Sequence, residues 1–116
     1  MTDPGALLRR NIEEVFGQRD AVARRKAIAE IFTEDCVFTA PDGHHRGWEA
    51  VDAAVAALHA RLPGFLFSAG SARLLDGAGL MEWAFGPPED LGRIAGTDVA
   101  LCRDGRISHL LVFLKP

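Results

Sequence analysis

Asp98 and His109 are the two residues of this 116-residue chain whose types and spacing could support acid–base chemistry. They lie on two apolar segments joined by Asp104-Gly105, a pair that favours a two-residue type I′ hairpin turn. Counting outward from this turn places Asp98 diagonal to His109 on one face of the hairpin, about 7–8 Å apart between backbones. We therefore expect the two side chains to hydrogen-bond.

Two interpretations of the Asp98–His109 pair stay open. An apolar cavity raises the pKa of a carboxyl group and a neighbouring protonated imidazole lowers it, so the pair could work as a tuned general acid and base. In the second interpretation, the two groups only satisfy each other's hydrogen bonding inside the core.

Four apolar side chains and one histidine are candidates for lining a ligand pocket. Strand alternation places Trp83 and Phe85 on one face, and the hairpin register predicts Leu111 and Phe113 beside Asp98. Trp83 could equally well fill the core. Of the adjacent His44 and His45, only one can point inward, and we assign His45 to the pocket. A metal site would need two or three ligands converging with Asp98 or His109, so we expect no metal and no other cofactor.

Helical patterns occupy most of the first half of the chain. Asp3-Pro4 is typical of an N-cap followed by a first helical position, and Asp20 is a second N-cap. We predict helices from Pro4 to Gly17, over 21–32, and from Trp48 to the Leu62-Pro63-Gly64 stop. The cluster Arg24-Arg25-Lys26 is interpreted as a solvated face of the second helix.

Segments of strand length dominate the second half. The predicted strands cover 36–40, 65–75, 80–85, 94–102 and 107–114. The element order ααβαββββ predicts a single α+β domain over 1–116, with an antiparallel meander and helices on one face of a curved sheet. Because both faces of the last hairpin are apolar, we expect the second face to be covered by another copy of the chain in a homodimer.

The charge and the length of the apolar runs argue against nucleic-acid and membrane partners. The net charge is −3 and no basic stripe is present, which argues against nucleic acid. The longest apolar run, residues 110–114, is far below the roughly 20 residues of a membrane span, so we expect a cytoplasmic protein without a membrane partner. Cys36 and Cys102 lack metal-ligand spacing and are predicted to be reduced, buried thiols.

Loose motifs spread over nearly the whole chain carry a family resemblance. They are residues 32–38, the Pro41-Asp42-Gly43 turn leading to 46–51, residues 83–87, and 96–99 followed by 104–107. In this order they resemble the SnoaL-like branch of the nuclear transport factor 2-like superfamily. The resemblance implies a cone-shaped α+β barrel whose strongly curved, mostly antiparallel sheet wraps a long helix. It also implies a hydrophobic pocket at the wide end and dimerisation through the outer sheet face.

The same resemblance implies cyclase or isomerase chemistry without a cofactor, acting on a small apolar carbonyl compound. Asp98 matches the position of a protonated aspartate in the isomerases, an arrangement known from ketosteroid isomerase, and lies close to the acid/base aspartate of SnoaL-like cyclases. The isomerase base is replaced here by Ala40, and the chain has no tyrosine, which disfavours ketosteroid isomerisation. No Asp-Arg-Asp set supports epoxide hydrolysis. The alternative is a non-catalytic ligand-binding or dimerisation module of the same fold.

Overall fold

The helices of the structure, a computed structural model that describes residues 3–116, begin where the sequence predicts. Helix α1 (Pro4–Arg10) continues directly into a π-helical segment (Asn11–Phe16), followed by α2 (Ala21–Ile31) and α3 (Trp48–Arg61). Asp3 caps α1 by accepting from the Ala6 amide at 2.7 Å, and Asp20 caps α2 by accepting from Ala23 at 3.2 Å. The predicted N-caps are therefore confirmed.

Gly17 ends the first helical region as predicted, but through a wider turn than an α-helix makes. The Gly17 amide donates to the Ile12 carbonyl, five residues earlier, at 2.8 Å. At the same end, His59 of α3 donates from Nε2 to the carbonyl oxygen of Phe16 at 2.6 Å, because a carbonyl oxygen can only accept. The π-helical segment is thus tied to α3 at its C-terminal end.

Six strands form one mixed sheet, which confirms the α+β class and the predicted meander. The strands are β1 (Phe32–Ala40), β2 (Gly43–Arg46), β3 (Leu66–Leu75), β4 (Ala78–Gly86), β5 (Ile94–Arg103) and β6 (Arg106–Leu114). They are ordered β2-β1-β6-β5-β4-β3, with β1 parallel to β6 and all other pairs antiparallel. Strand β2, which the sequence did not predict, carries His44 and His45 and forms a hairpin with β1.

A β-bulge in the last hairpin changes which residues share a face. Asp104 and Gly105 both have positive φ, at 55° and 77°, as a type I′ turn requires. Cys102 pairs with Ile107 as predicted, but the next pair is Leu101 with His109. Ser108 is therefore an extra residue, and its hydroxyl donates to the Leu101 carbonyl at 3.0 Å. A one-residue slip moves every following side chain to the other face.

The predicted register beyond the bulge is wrong. Asp98 lies opposite Val112, not Leu111. His109, Leu111 and Phe113, which were predicted to share the face of Asp98, lie on the other face of the sheet. We call the face that carries Asp98 the inner face, because α1, α2 and α3 pack on that side of the sheet, and the face that carries His109 the outer face.

The core lies between the helices and the inner face. Its largest fully buried side chains come from both layers: Leu7, Leu8, Ile12, Ile28, Ile31, Phe32, Phe85, Met81, Ile107 and Leu110. Arg24 corrects one expectation, since it is only 4% exposed and its Nε lies 2.6 Å from Asp52 Oδ1 in α3. The predicted solvated face therefore contains one buried ion pair that joins α2 to α3.

The outer face carries exposed apolar side chains. Leu101 and Phe113 are large apolar side chains that remain 43% and 57% exposed on the outer face. Cys36 and Cys102 are free thiols; Cys36 is buried as predicted, but Cys102 is only half-buried, at the β-bulge. Across residues 3–116, the helices are too short or too polar to span a bilayer.

Candidate functional site

Asp98 is the buried carboxyl group of the inner face. It lies in the middle of β5, between Met81 of β4 and Val112 of β6, and is 3% exposed. Trp83 Nε1 donates to Asp98 Oδ1 at 2.8 Å. Across residues 3–116, no donor reaches the second carboxyl oxygen, Oδ2, so this oxygen can still interact with another molecule.

Gly96 allows this hydrogen bond to form. Trp83 pairs with Gly96 across the two strands, and its indole lies over the glycine to reach Asp98 two residues further along β5. A Cβ atom at position 96 would stand 2.8 Å from Cε2 of Trp83 and would also meet the carbonyl oxygen of Phe113. Any residue larger than glycine must therefore displace the indole.

Burial changes the pKa of the Asp98 carboxyl group. Removal from water raises the pKa of Asp98 from its ordinary value of 3.8 to about 7, and the hydrogen bond from Trp83 opposes this rise. Near neutral pH the carboxyl group is consequently present in both forms. The neutral form can donate a hydrogen bond or a proton, and the ionised form can accept a proton.

His109 does not take part in this arrangement. It is exposed on the outer face, opposite Leu101, and its nearest polar partner is the Ser108 hydroxyl at 3.3 Å from Nδ1. The expected Asp98–His109 hydrogen bond is therefore wrong, and Trp83 is the actual partner of Asp98. The only sequence signal for that partner is a glycine two residues before Asp98, which leaves room for a large side chain on the neighbouring strand.

The predicted pocket residues divide between the two faces. Trp83 and Phe85 lie on the inner face, where Phe67 of β3 stacks on Phe85 with ring centroids 4.0 Å apart and meets Trp83 edge-on at 5.8 Å. Leu111 and Phe113 lie on the outer face and cannot line the same pocket. The bulge at Ser108 accounts for this correction.

His45 lies on the inner side of β2, at the far end of the same aromatic layer. Its ring stacks on Phe38 at 5.1 Å, with 28° between the planes, and its Nε2 lies 3.3 Å from Asp42 Oδ1. Phe38 in turn meets Phe16 of the π-helical segment edge-on at 5.6 Å. Phe16 also contacts Phe67 at 5.8 Å, so aromatic rings run continuously from His45 to Trp83.

A cavity of about 270 Å³ opens between the π-helical segment and β3. Its lining is mostly apolar, with one acid and one base at the rim: Ile12, Glu13, Phe16, Gly17, Arg19, Phe65, Leu66 and Phe67. Phe67 lines this space and its ring contacts Trp83, whereas Trp83 and Asp98 do not line it.

A second, larger depression of about 510 Å³ lies near the β5–β6 turn, away from Asp98. Its walls are charged and include Asp35 and Arg103, which form an exposed ion pair at 2.6 Å. Within the part of the chain that the structure describes, no three His, Cys, Asp or Glu side chains converge as a metal site requires.

Comparisons with known proteins agree on the fold. A profile described as the SnoaL-like domain matches residues 8–110. A protein of the SnoaL-like family from Agrobacterium tumefaciens, provisionally named an isomerase, superposes over 100% of both chains with a TM-score of 0.90 and 21% identity. A provisionally named SnoaL-like polyketide cyclase from Jannaschia has a TM-score of 0.76 and 15% identity, covering 94% of this chain and 83% of its own.

Another provisionally named polyketide cyclase, from Sinorhizobium meliloti, has a TM-score of 0.74 and 16% identity over 91% of this chain and 92% of its own. No curated protein matches the chain. At these identities the solved structures establish the shared fold alone, because one fold hosts many activities.

Proposed function

Because this chain belongs to the SnoaL-like domain family, we propose that it binds a small apolar carbonyl compound in its interior and that Asp98 acts on that compound as a general acid and base. The observation that carries the proposal is the burial and hydrogen bonding of the Asp98 carboxyl group. It is buried, held through Oδ1 by the Trp83 indole, and has Oδ2 without a donor among residues 3–116.

The proposed step is a proton transfer at the carbon next to the carbonyl group. Ionised Asp98 accepts that proton on Oδ2, the C–H electron pair forms the carbon–carbon double bond of the enolate, and the carbonyl oxygen takes the negative charge. Where a second double bond is conjugated with the enolate, return of the proton from Asp98 to the far carbon isomerises the compound. In ring closure the same carbon attacks a second carbonyl group, whose oxygen takes the electron pair of the broken C–O π bond and then the proton from Asp98. A carboxyl pKa of about 7 suits both directions of transfer near neutral pH.

The inner aromatic layer supplies the proposed apolar walls. Phe16 and Phe67 line the cavity of about 270 Å³, while Trp83 and Phe85 lie behind Phe67. In this proposal Phe67 rotates when the ligand binds, so that the cavity extends toward Trp83 and Asp98. His45, stacked on Phe38 at the far end of this layer, is a proposed pocket residue for a longer ligand.

A non-catalytic role is the second candidate, and one observation favours it. The neighbours of Asp98 are closely packed, with Met81, Trp83 and Ala100 all buried, and neither cavity described above reaches the carboxyl group. If this packing does not open, the Asp98–Trp83 pair only satisfies buried polar groups. The chain then acts as a binding or dimerisation module.

We also propose that the outer face forms a homodimer. Leu101 and Phe113 expose large apolar surfaces there, with Val99 and Leu111 half-buried between them. A contiguous apolar patch of this kind is typical of a face covered by another protein. A second copy offers the same patch, as a two-fold interface requires.

The test of catalysis is exchange of the α-protons of 1-tetralone, a planar apolar ketone, in D₂O followed by proton NMR. Wild-type protein should accelerate the exchange over buffer, and Asp98→Asn should lower this acceleration by at least about 100-fold, the usual contribution of a general base. His109→Gln is the matched control and should exchange at the wild-type rate. Equal rates for wild type and Asp98→Asn would favour the non-catalytic candidate.

A further inference from the structure

Asn11 is a fully buried side chain whose hydrogen bonding is not satisfied within the protein. It is 0% exposed, and across residues 3–116 neither its Nδ2 nor its Oδ1 has a hydrogen-bond partner. Buried amides are nearly always hydrogen-bonded, because an unpaired one retains the cost of leaving water. The amide is therefore expected to have a partner outside the described chain.

The local backbone also singles out this residue. Asn11 is the first residue of the π-helical segment, and π-helical turns recur at functional sites. Ile12 and Phe16 of the same segment line the cavity of about 270 Å³. The unsatisfied amide thus belongs to the helical segment that forms one wall of this cavity, but it points away from the cavity and is not among the residues that line it.

Contacts made by residues before and after Asn11 show where it lies along strand β4. A Cβ atom at Gly79 would stand 3.1 Å from Cδ1 of Leu8, so Leu8 lies at the level of Gly79 in β4. Phe16 lies at the level of Phe67, which pairs with Phe85. Since Asn11 comes between Leu8 and Phe16 along one continuous helical region, it lies between these levels, near the middle of β4.

Helical rotation fixes the direction in which Asn11 faces. Arg9 points to β3, where its Nη2 donates to the Gly70 carbonyl at 3.2 Å, and Arg10 points to α2, where it contacts Glu30 at 2.7 Å. At about 100° per residue, Asn11 lies between the Leu8 direction and the α2 direction, on the side away from β3. Because α2 packs on β1 and β6, which lie beyond β5 in the sheet, this direction leads from β4 toward β5, where Asp98 pairs with Met81 of mid-β4.

From this placement we infer that Asn11 is the second polar group of the ligand site and that its Nδ2–H donates to the carbonyl oxygen of the ligand. The inference rests on the proposed function. An amide donor is neutral at all relevant pH values, so it would hold the oxygen while Asp98 exchanges the proton on the adjacent carbon. The site therefore selects compounds with an acceptor oxygen next to an acidic C–H group, and not apolar molecules in general.

The test compares 1-tetralone with tetralin, which has the same ring system without the oxygen, by NMR titration of the protein. Wild type should bind 1-tetralone more tightly than tetralin. Asn11→Leu should weaken 1-tetralone binding by about tenfold, the usual effect of losing one hydrogen bond at a desolvated site. Tetralin affinity should be unchanged or slightly improved, and Tm should rise because an unsatisfied amide is removed.

Thr33→Val is the matched control. It removes another buried polar side chain, at the start of β1, but Thr33 lines the charged depression and not the apolar cavity. Its 1-tetralone affinity should equal that of wild type. Asn11→Met provides the same comparison if Asn11→Leu does not fold.

Two outcomes are distinguishable. If both compounds bind wild type but the preference for 1-tetralone survives in Asn11→Leu, the role of Asn11 is overturned and the proposed ligand site remains. If neither compound binds wild type, the proposed function fails for this ligand class and the inference fails with it.

Discussion

The two faces of the β5–β6 hairpin differ sharply although they share one backbone. On the inner face, Asp98 is buried, hydrogen-bonded to Trp83 and has a raised pKa. On the outer face, His109 is exposed beside the apolar Leu101 and Phe113. The bulge at Ser108 decides which residues of β6 belong to which face, so one extra residue separates the candidate chemistry from the candidate interface.

Leu110→Ala should test this comparison with the largest effect. The bulge places Leu110, fully buried, on the inner face, whereas a regular hairpin would place Leu111 there. Removing a buried leucine from a core costs about 2–5 kcal/mol. We expect a drop of that size in the free energy of unfolding, measured by urea denaturation, while Leu111→Ala should cost less because Leu111 is only half-buried on the outer face. A larger cost for Leu111→Ala than for Leu110→Ala would contradict the bulged register.

Asp98→Asn tests the inner face, because it should change how the free energy of unfolding depends on pH. Because the folded pKa is about 7 and the ordinary value is 3.8, the folded state binds more protons than the unfolded state between these values. Wild-type stability should therefore fall as pH rises from about 4 to about 7, by up to roughly 4 kcal/mol from this group.

Asparagine does not titrate, so Asp98→Asn lacks this dependence. Relative to wild type, the variant should gain stability steadily over the same pH range, as measured by urea denaturation at fixed pH values. A constant difference between the two proteins from pH 4 to pH 7 would show that the carboxyl group is not desolvated. His109→Gln serves as the control on the outer face.

Gly96→Ala should have a smaller effect, on the indole and on the neighbouring backbone of β6. The new methyl group would displace Trp83 and the Phe113 carbonyl group, with a cost of about 1–3 kcal/mol for overpacking. Loss of the Trp83 hydrogen bond should raise the pKa of Asp98 further, because that bond lowers it. An unchanged Trp83 Nε1–H resonance in the NMR spectrum would contradict the placement of the indole over Gly96.

Phe113→Ser should have the smallest effect on the folded chain and the most specific effect on association. Phe113 is largely exposed, so its replacement should change the unfolding free energy of the monomer by less than about 0.5 kcal/mol. Sedimentation should nevertheless show a shift from dimer toward monomer. A wild-type protein that sediments as a monomer at all concentrations would rule out the proposed interface.

The features predicted correctly from the sequence depend on neighbouring residues. The caps at Asp3 and Asp20 and the type I′ turn at Asp104-Gly105 are local chemistry, and the order of elements follows from them. The apolar spacing of α3 likewise places that helix correctly.

The features that the sequence missed depend on contacts between distant segments. The bulge at Ser108 is stabilised by a carbonyl group on the opposite strand, and the Asp98–Trp83 bond depends on the β4–β5 register. The burial of Arg24 follows from Asp52 of α3, 28 residues away, and the unsatisfied state of Asn11 becomes visible only when every neighbour is placed. Asp98, Trp83 and Phe85 of the inner face could thus be named in advance, but the hydrogen bond that joins Trp83 to Asp98 could not.

Titration of the Asp98 carboxyl carbon by NMR tests the central claim most directly. With the protein labelled at aspartate Cγ and the signal assigned by its loss in Asp98→Asn, the account predicts a midpoint near 7. It also predicts that the midpoint moves when 1-tetralone is added, because a bound ketone changes the surroundings of Oδ2. A midpoint near the ordinary value of 3.8, unaffected by the ketone, would contradict a buried acid–base group at this position.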